Sequence, residues 1–183
     1  MTAPIFFTLS KTLIILAHPD MENSRINKRW KEELGKYPDK ITIHELYKEY
    51  PDWNINIEKE QELLSKHDNI IFEFPLYWYS SPPILKKWFD EVLSYNWAYG
   101  NEYRLKGKNI GFAVSVGGPE QEYSKEGSVR FSMNEILVPF EATIKYIKAN
   151  LIPHYFIFDT ENLSDEKLSE NAENYIKYIF NIK

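Results

Sequence analysis

The segment TLIILAHPDMENSRIN, residues 12–27, determines the fold class of this chain. Its first part, TLIILA (12–17), is a continuous apolar run rich in Ile and Leu, which is the pattern of a β-strand buried on both faces. Residues 24–34 follow as a predicted amphipathic helix, with Asn23 or Ser24 as its candidate N-cap. A buried strand joined to a helix by a short loop predicts the first half of a parallel βαβ unit.

The same alternation of strand and helix patterns continues along the chain. Such alternation predicts one parallel sheet with helices on both faces, joined by right-handed crossovers. At this length we predict an α/β protein, a flavodoxin-like three-layer sandwich whose five-stranded parallel sheet has the order 2-1-3-4-5. The predicted strands are 12–17, 41–46, 69–75, 109–118 and 153–158. The predicted helices are 24–34, 58–66, 83–94, 139–149 and one that begins after the candidate N-cap Ser164.

The composition limits the domain count and the chemistry. A length of 183 residues predicts one domain over 1–183, with residues 1–11 as an N-terminal extension. The chain has no cysteine, which excludes disulfides, iron–sulfur clusters, thiolate zinc sites and cysteine nucleophiles. Any redox chemistry must therefore come from a bound cofactor.

Charge and hydropathy argue against two classes of partner. The net charge of −5 disfavours nucleic acid. The longest apolar stretches are about six residues, far below the ~20 that a membrane span needs. The N-terminal residues lack the basic and apolar regions of a signal peptide. We therefore expect a cytoplasmic protein.

Ligands of such sheets bind beyond the carboxyl ends of the strands, at the switch point between strands 1 and 3. The rule selects three loops, at 18–27, 75–83 and 117–130. The first loop leads into a helix N-terminus, where unpaired amides and the helix dipole attract an anion such as a phosphate. His18, Ser24 and Asn27 add polar groups there. The alternative is that Ser24 only caps the helix and His18 only closes the strand.

The first loop also contains His18-Pro19-Asp20, a tripeptide similar to one in zinc deacetylases of the LmbE type. Those enzymes need a second acid directly after it, where this chain has Met21. They also need a downstream histidine pair, which the spacing of His44, His67 and His154 does not provide. We therefore predict no metal site.

The second loop, PLYWYSSPP (75–83), carries the consecutive aromatic residues Tyr77, Trp78 and Tyr79. Aromatic side chains in a proline-bounded loop favour stacking on a flat ring system. A corner of the core or a subunit contact explains them equally well.

The third loop begins with Ser115-Val116-Gly117-Gly118 and continues to Tyr123. Glycines at the end of a strand permit close approach of a ligand to the backbone, although a plain turn uses them as well. A phosphate site, an aromatic wall and exposed amides in one crevice together predict a mononucleotide with a planar ring.

Several stretches of the chain resemble the flavodoxin-like NAD(P)H:quinone oxidoreductases, the DT-diaphorase relatives. The most specific of them is FPLYWYSSPPILKKWFDEV (74–92). The chain is most similar to the short bacterial members, which include general stress proteins and the ancillary flavoproteins of glutathione-gated potassium-efflux systems. After residue 140 the likeness is only topological. The other matching stretches are LIILAHP (13–19), SRIN (24–27), YPDWNI (50–55), WAYG (97–100), LKGK (105–108) and the glycine pair at 117.

The resemblance implies bound FMN rather than FAD, since short members typically hold FMN and the longer animal enzymes hold FAD. It also implies a homodimer with the active site between subunits. It implies that Tyr123 lies near the hydride acceptor. Val129 stands where the animal enzymes have a histidine proposed as proton donor, which leaves Tyr123 or water for that role. The implied cofactor-binding residues are His18, Ser24, Arg25, Ile26, Asn27, Leu76, Tyr77, Trp78, Tyr79, Ser115, Val116, Gly117 and Gly118.

The implied activity is two-electron transfer in a ping-pong cycle, in which NAD(P)H delivers hydride to flavin N5 and a quinone then accepts it in the same pocket. The alternative that the resemblance implies is a regulatory flavoprotein that binds a potassium-efflux transporter. In that case the protein would be peripheral at the inner face of the membrane.

Overall fold

A computed structural model describes residues 11–183, so all of the predicted N-terminal extension except Lys11 lies outside the described residues. The fold is a parallel sheet in the order β2-β1-β3-β4-β5, with β6 also paired to β4. This order confirms the flavodoxin-like topology. The strands are β1 (Thr12–Leu16), β2 (Ile41–Glu45), β3 (Asn69–Pro75), β4 (Asn109–Ser115), β5 (Asn150–Leu151) and β6 (Tyr155–Ile157).

The edge of the sheet beside β4 differs from the prediction of one strand over 153–158. The residues of β5 pair with Asn109 and Ile110 at the start of β4, whereas β6 pairs with 113–115 at its end. Pro153 lies between β5 and β6 and has no backbone N–H to donate to a ladder, so a proline is found at such breaks and edges. The fifth strand is therefore divided in two.

Helices cover both faces of the sheet, which confirms the three layers. On one face α1 and α7 enclose a core around Trp30 and Tyr175, and on the other α2, α3, α4 and α6 enclose a larger core around Trp88 and Phe140. The short helices α2 and α5 are additional to the five predicted. The helices are α1 (Ile26–Leu34), α2 (Leu46–Glu49), α3 (Ile57–Ser65), α4 (Pro83–Val92), α5 (Met133–Ile136), α6 (Val138–Tyr146) and α7 (Asp165–Phe180).

The alternation of side chains along β3 assigns each residue to a face. Phe72 and Phe74 belong to the larger core, and Ile71 belongs to the core beneath α1 and α7. Because successive strand residues point to opposite faces, Glu73 lies on the side of Ile71. A carboxylate is thereby placed inside an apolar layer.

No helix within residues 11–183 is long and apolar enough to cross a membrane.

Candidate functional site

A groove of ≈ 590 Å³ opens at the carboxyl ends of β1, β3 and β4. This volume is in the range of small-molecule sites, which is about 300–1,000 Å³. The three predicted loops all contribute to it. Its lining residues are His18, Asp20, Asn23, Ser24, Arg25, Ile26, Asn27, Pro75, Leu76, Tyr77, Ser115, Gly117, Thr160 and Glu161.

The loop after β1 is held by its own polar side chains. The Asp20 carboxylate accepts hydrogen bonds from the backbone and side-chain amides of Asn23 at 3.2 and 2.8 Å. Nδ1 of His18 lies 3.1 Å from the backbone N–H of Asp20, which donates to it. Burial lowers the pKa of His18, against the opposing effect of Asp20. A neutral imidazole that accepts at Nδ1 carries its proton on Nε2, so His18 offers a hydrogen-bond donor.

The N-terminus of α1 has no side-chain cap, so the prediction of Asn23 or Ser24 in that role is wrong. Arg25 occupies the N-cap position with helical backbone angles. The physical reason is that the helical conformation begins one residue later than Ser24, and Asn23 bonds to Asp20 instead. The positive end of the helix dipole is consequently free of a capping side chain, as an anion-binding N-terminus requires.

The cationic side chain of Arg25 is already paired. Its guanidinium donates to Asp165 at 2.7 Å and to the Thr160 carbonyl at 3.4 Å. The side chain thus ties the first loop to the start of α7 and the loop before it. Of the described residues that line the groove, Arg25 is the one with a permanent positive charge, so backbone amides must carry most of any phosphate binding.

Asn27 is buried, and both ends of its side chain are engaged. Its Nδ2 donates to Glu73 Oε1 at 3.3 Å, and its Oδ1 accepts from Ser115 Oγ at 2.9 Å. Ser115 is buried too. Asn27 and Ser115 therefore form a polar floor under the groove, with Glu73 beneath them.

The aromatic loop forms a tight turn rather than a flat wall of the groove. Tyr77 and Ser80 exchange two backbone hydrogen bonds of 2.9 Å, and Trp78 and Tyr79 between them have φ of 47° and 59°. The left-handed conformation costs roughly 1–2 kcal/mol for each residue with a side chain. Trp78 is 94% exposed, so the strained turn displays an aromatic ring to solvent, as is common at functional sites.

The structure brings only part of the aromatic loop to the groove. Leu76 and Tyr77 line it, whereas Trp78 and Tyr79 do not. The backbone amide of Leu76 donates to the Ser115 carbonyl at 2.8 Å, which fastens the aromatic loop to the end of β4.

The three residues that follow β4 differ in their surroundings. The amide of Val116 donates to the Ile157 carbonyl at 2.8 Å and its side chain is buried, so it is a sheet residue. A Cβ added to Gly117 meets nothing within 4 Å, which leaves room for a ligand at the backbone. A Cβ on Gly118 would lie 3.2 Å from the ring of Tyr123. Gly117 is thus the glycine that opens onto the groove.

Tyr123 lies beside the groove and does not line it. Its ring packs on Phe158 with centroids 5.7 Å apart. Burial raises the pKa of Tyr123, and the nearby Tyr79 and Glu122 add to the effect. The phenol is therefore protonated at neutral pH.

Five lining residues are not among the predicted cofactor-binding residues. Asp20, Asn23 and Pro75 lie within the predicted loops, whereas Thr160 and Glu161 lie outside them. Thr160 and Glu161 follow the last strand of the sheet, so the rule that placed the other loops at the carboxyl edge also applied to this one. Neither residue belongs to a recognisable motif, so no local sequence pattern indicates this loop.

The groove fits a phosphate-bearing ligand with a flat ring. The uncapped N-terminus of α1 suits the phosphate, and the open space at Gly117 suits close approach of a ring to the backbone. No cluster of three or more His, Asp or Glu side chains within residues 11–183 could hold a metal ion.

Comparison with known proteins identifies the family. The family model described as the flavodoxin-like fold matches residues 10–179. The chain belongs to this family. The solved structure of general stress protein 14 from Treponema denticola, in complex with FMN, is 42% identical, covers 92% of this chain and 97% of that one, and has a TM-score of 0.89.

Two further relatives of the family carry functional names. A solved NADPH-quinone reductase from P. pentosaceus is 33% identical, with 94% of this chain and 99% of that one covered and a TM-score of 0.87. The glutathione-regulated potassium-efflux system ancillary protein KefF of Enterobacter sp. (strain 638) is 39% identical over 164 residues, which are 89% of this chain and 92% of that protein. These relatives confirm the predicted resemblance.

Proposed function

We propose that this protein is an FMN-dependent NAD(P)H:quinone oxidoreductase. The observation that carries the proposal is the groove in which the loops after β1, β3 and β4 meet at the switch point of the sheet. Similarity to a protein solved with FMN and to an NADPH-quinone reductase supports the choice of cofactor and substrates. FMN, when bound, supplies a ring that takes two electrons and a proton from NAD(P)H and passes them to the quinone.

The residues of the first loop would hold the phosphate. Backbone amides at the start of α1 point along the helix axis toward this region. His18 adds its Nε2–H, and Ser24 adds a hydroxyl. Since Arg25 is paired with Asp165, the phosphate charge would be balanced chiefly by these dipoles.

The residues of the second and third loops would position the ring. Leu76 and Tyr77 line the groove and would contact the ring, and the open space at Gly117 would permit contact of the ring with the backbone. An amide of Gly117 or Gly118 close to the ring would stabilise negative charge there, by an effect of about 3 kcal/mol in comparable oxyanion sites. Trp78 does not line the groove, but its exposed ring directly follows Tyr77 and would be available to a substrate.

Tyr123 is the proposed proton donor to the quinone. A tyrosine hydroxyl is protonated at neutral pH, since its ordinary pKa is about 10, and burial raises the pKa of Tyr123 further. Val129 cannot donate a proton, and its amide instead bonds to the Glu122 carbonyl at 3.1 Å, which closes the loop that carries Tyr123. Proton transfer by a positioned side chain contributes about 10²–10⁴ in rate.

Absorbance spectroscopy and steady-state kinetics test the proposal. We expect purified protein to be yellow, to bleach anaerobically with NADH or NADPH, and to recover its colour with a quinone. Double-reciprocal plots at several quinone concentrations should be parallel, as in a ping-pong cycle, and Tyr123→Phe should lower kcat/KM for quinone at an unchanged flavin spectrum.

The control is Gly117→Leu, whose side chain would enter the open space of the groove. This variant should stay folded and lose FMN. Wild-type protein that is colourless and cannot be reconstituted with FMN would refute the proposal.

A second copy of the chain is the proposed partner. An apolar groove of ≈ 490 Å³ is lined by Tyr79, Phe89, Tyr99, Phe140 and Tyr146 among others, and Tyr79 connects it to the turn beside the FMN groove. Large exposed apolar patches mark interaction sites. Sedimentation should give a dimer that Tyr146→Lys dissociates, while Phe180→Lys on α7, also an exposed aromatic, leaves it intact. A monomeric wild type would contradict the assignment.

A second candidate function is regulation of a potassium-efflux transporter, supported by the 39% sequence identity between this chain and KefF. Potassium efflux from cells that express such a transporter should increase when this chain is co-expressed. Comparison with the Gly117→Leu variant would separate a binding role from an enzymatic one. Efflux that is the same with and without the chain would rule the role out.

A further inference from the structure

Glu73 is a buried carboxyl group directly under the groove, and the proposed function gives it no role. It lies on β3, two residues before Pro75, and has no exposed surface. Two donors reach it: Asn27 Nδ2 at 3.3 Å from Oε1 and the hydroxyl of Tyr175 at 3.1 Å from Oε2. No cationic side chain pairs with it among the described residues. A buried carboxylate with two neutral partners is costly to ionise.

The hydrogen bonds of Glu73 continue to the surface of the groove. Asn27 Oδ1 accepts from Ser115 Oγ at 2.9 Å. Both Asn27 and Ser115 line the groove, whereas Tyr175 lies in the core beneath α7. Four side chains thus form one chain of hydrogen bonds, from Tyr175 through Glu73 and Asn27 to Ser115.

The proton on Glu73 determines the direction of these hydrogen bonds. An ionised carboxylate only accepts hydrogen bonds, so Asn27 turns its Nδ2 toward Glu73 and its Oδ1 toward Ser115. The Ser115 hydroxyl then donates its hydrogen bond to Asn27. A protonated carboxyl can donate to Oδ1 of an amide rotated by 180°. The Asn27 Nδ2 would then donate to Ser115 Oγ, and the Ser115 proton would be free to bond a ligand in the groove.

We propose that Glu73 is a positioning residue that, through Asn27, sets whether Ser115 donates a hydrogen bond to the ligand. The affinity of the groove for an anionic ligand is then highest when Glu73 is protonated. The inference rests on the proposed function, because it takes FMN as the ligand.

The surroundings of Glu73 place its titration in an accessible pH range. Burial raises the pKa of Glu73 to about 8, and the charge of Glu45 on β2 adds to this effect. Glu45 itself is paired with Lys31 of α1 at 2.8 Å. The register partners of Glu73 on the adjacent strands are Leu16 and Ala113, which carry no charge.

Two titratable side chains near the chain of hydrogen bonds, Tyr175 and His18, have pKa values that are displaced away from the range between pH 7 and 9. Burial and the Glu73 carboxylate raise the pKa of Tyr175 well above its ordinary value. Burial lowers the pKa of His18 from its ordinary value, which moves its titration away from the range between pH 7 and 9. The second pKa of a phosphate monoester is about 6, so FMN keeps a constant charge as well.

Titration of the FMN-free full chain with FMN, followed by flavin fluorescence from pH 7 to 9, tests the inference. We expect the Kd to be constant near pH 7 and to rise about tenfold by pH 9, which corresponds to one lost hydrogen bond to a charged ligand. Glu73→Gln, whose amide stays neutral, should abolish this rise.

Two further variants test whether the pH dependence of the Kd arises from Glu73 and reaches FMN through Ser115. Tyr175→Phe removes a donor to the ionised carboxylate, so the midpoint of the rise should move to higher pH with the Kd at pH 7 unchanged. Ser115→Ala should bind FMN more weakly at pH 7 and show no rise. Thermal unfolding of each variant at both pH values establishes that it is folded, and Tyr175→Phe alone decides the matter if Glu73→Gln does not fold.

The outcomes separate this inference from the proposed function. An unchanged pH dependence in Glu73→Gln, or an unchanged midpoint in Tyr175→Phe, would overturn the role of Glu73 and leave FMN binding intact. Failure of every protein to bind FMN at any pH would overturn the proposed function and this inference with it.

Discussion

Two carboxyl groups without exposed surface, Glu60 and Glu73, lie in opposite layers of the sandwich and have opposite surroundings. Glu60 on α3 lies within hydrogen-bonding distance of three groups: His44 Nε2 at 2.8 Å, the Tyr50 hydroxyl at 2.5 Å and the Trp88 indole N–H at 2.7 Å. Burial alone would raise the pKa of Glu60, but these partners together hold it below its ordinary value.

Glu73 has two neutral donors at longer distances, and burial raises its pKa to about 8. The contrast shows that the number and kind of donors, rather than burial itself, decide whether an interior carboxyl is charged. Glu60 joins α3 and α4 in the core away from the groove, and it stabilises the fold. Glu73 lies under the groove and is left poised to titrate there.

The largest expected effect is the loss of Glu60. Glu60→Ala leaves His44, Tyr50 and Trp88 without their shared acceptor. Each buried group that loses its hydrogen-bond partner costs about 1–3 kcal/mol of unfolding free energy. Urea denaturation at pH 7 measures it. The matched control is Glu62→Ala on the same helix, whose exposed pair with Lys66 should contribute well under 1 kcal/mol. Equal effects of the two substitutions would remove the distinction drawn for Glu60.

The next largest effect is a gain in unfolding free energy, expected for Glu73→Gln at high pH. An unfolded chain releases the Glu73 proton near the ordinary value of 4.5, whereas the folded chain keeps it to about pH 8. Stability therefore falls as pH rises between these values. Glu73→Gln should match wild type at pH 5 and exceed it at pH 8.5 by about 2–4 kcal/mol. The urea midpoints of FMN-free protein at both pH values measure this; a variant less stable than wild type at pH 8.5 would contradict it.

The smallest expected effect is the difference in stability loss between two variants that each remove one tyrosine hydroxyl. Tyr50→Phe removes a hydrogen bond to a charged acceptor, about 1.5–3 kcal/mol, and Tyr175→Phe removes one to a neutral acceptor, about 0.5–1.5 kcal/mol. The two variants should therefore separate at pH 7 in thermal or urea unfolding. FMN affinity should be unchanged in Tyr50→Phe, since that side chain is remote from the groove. A larger loss for Tyr175→Phe would mean that Glu73 is ionised at neutral pH.

Much of the fold was predictable from the sequence because parallel strands buried on both faces are continuous apolar runs. TLIILA and NIIFEFP each became a strand at the expected place, and the two strands are neighbours in the sheet as predicted. The division of the last strand at Pro153 was not predictable to the same extent. A local apolar pattern does not tell which residues find a partner on β4.

The candidate site, like the fold, was predictable from the sequence only in part. Local sequence indicated the loops that reach the groove, because ligand position in this topology follows from the carboxyl ends of the strands. It did not indicate that Arg25 is paired with Asp165, 140 residues away, or that Val116 gives its amide to the sheet. Such contacts depend on chain segments that meet only in the folded protein.

The sequence by itself determined the layer order, the absence of cysteine chemistry and the loops around the groove, since these depend on composition and on periodicity within one segment. Only the tertiary structure decided that Glu60 is surrounded by donors while Glu73 is left with two. It also decided that Trp78 stands exposed on a left-handed turn. The ionisation of a side chain depends on the field of all neighbouring groups, and that field exists only once distant segments have packed together.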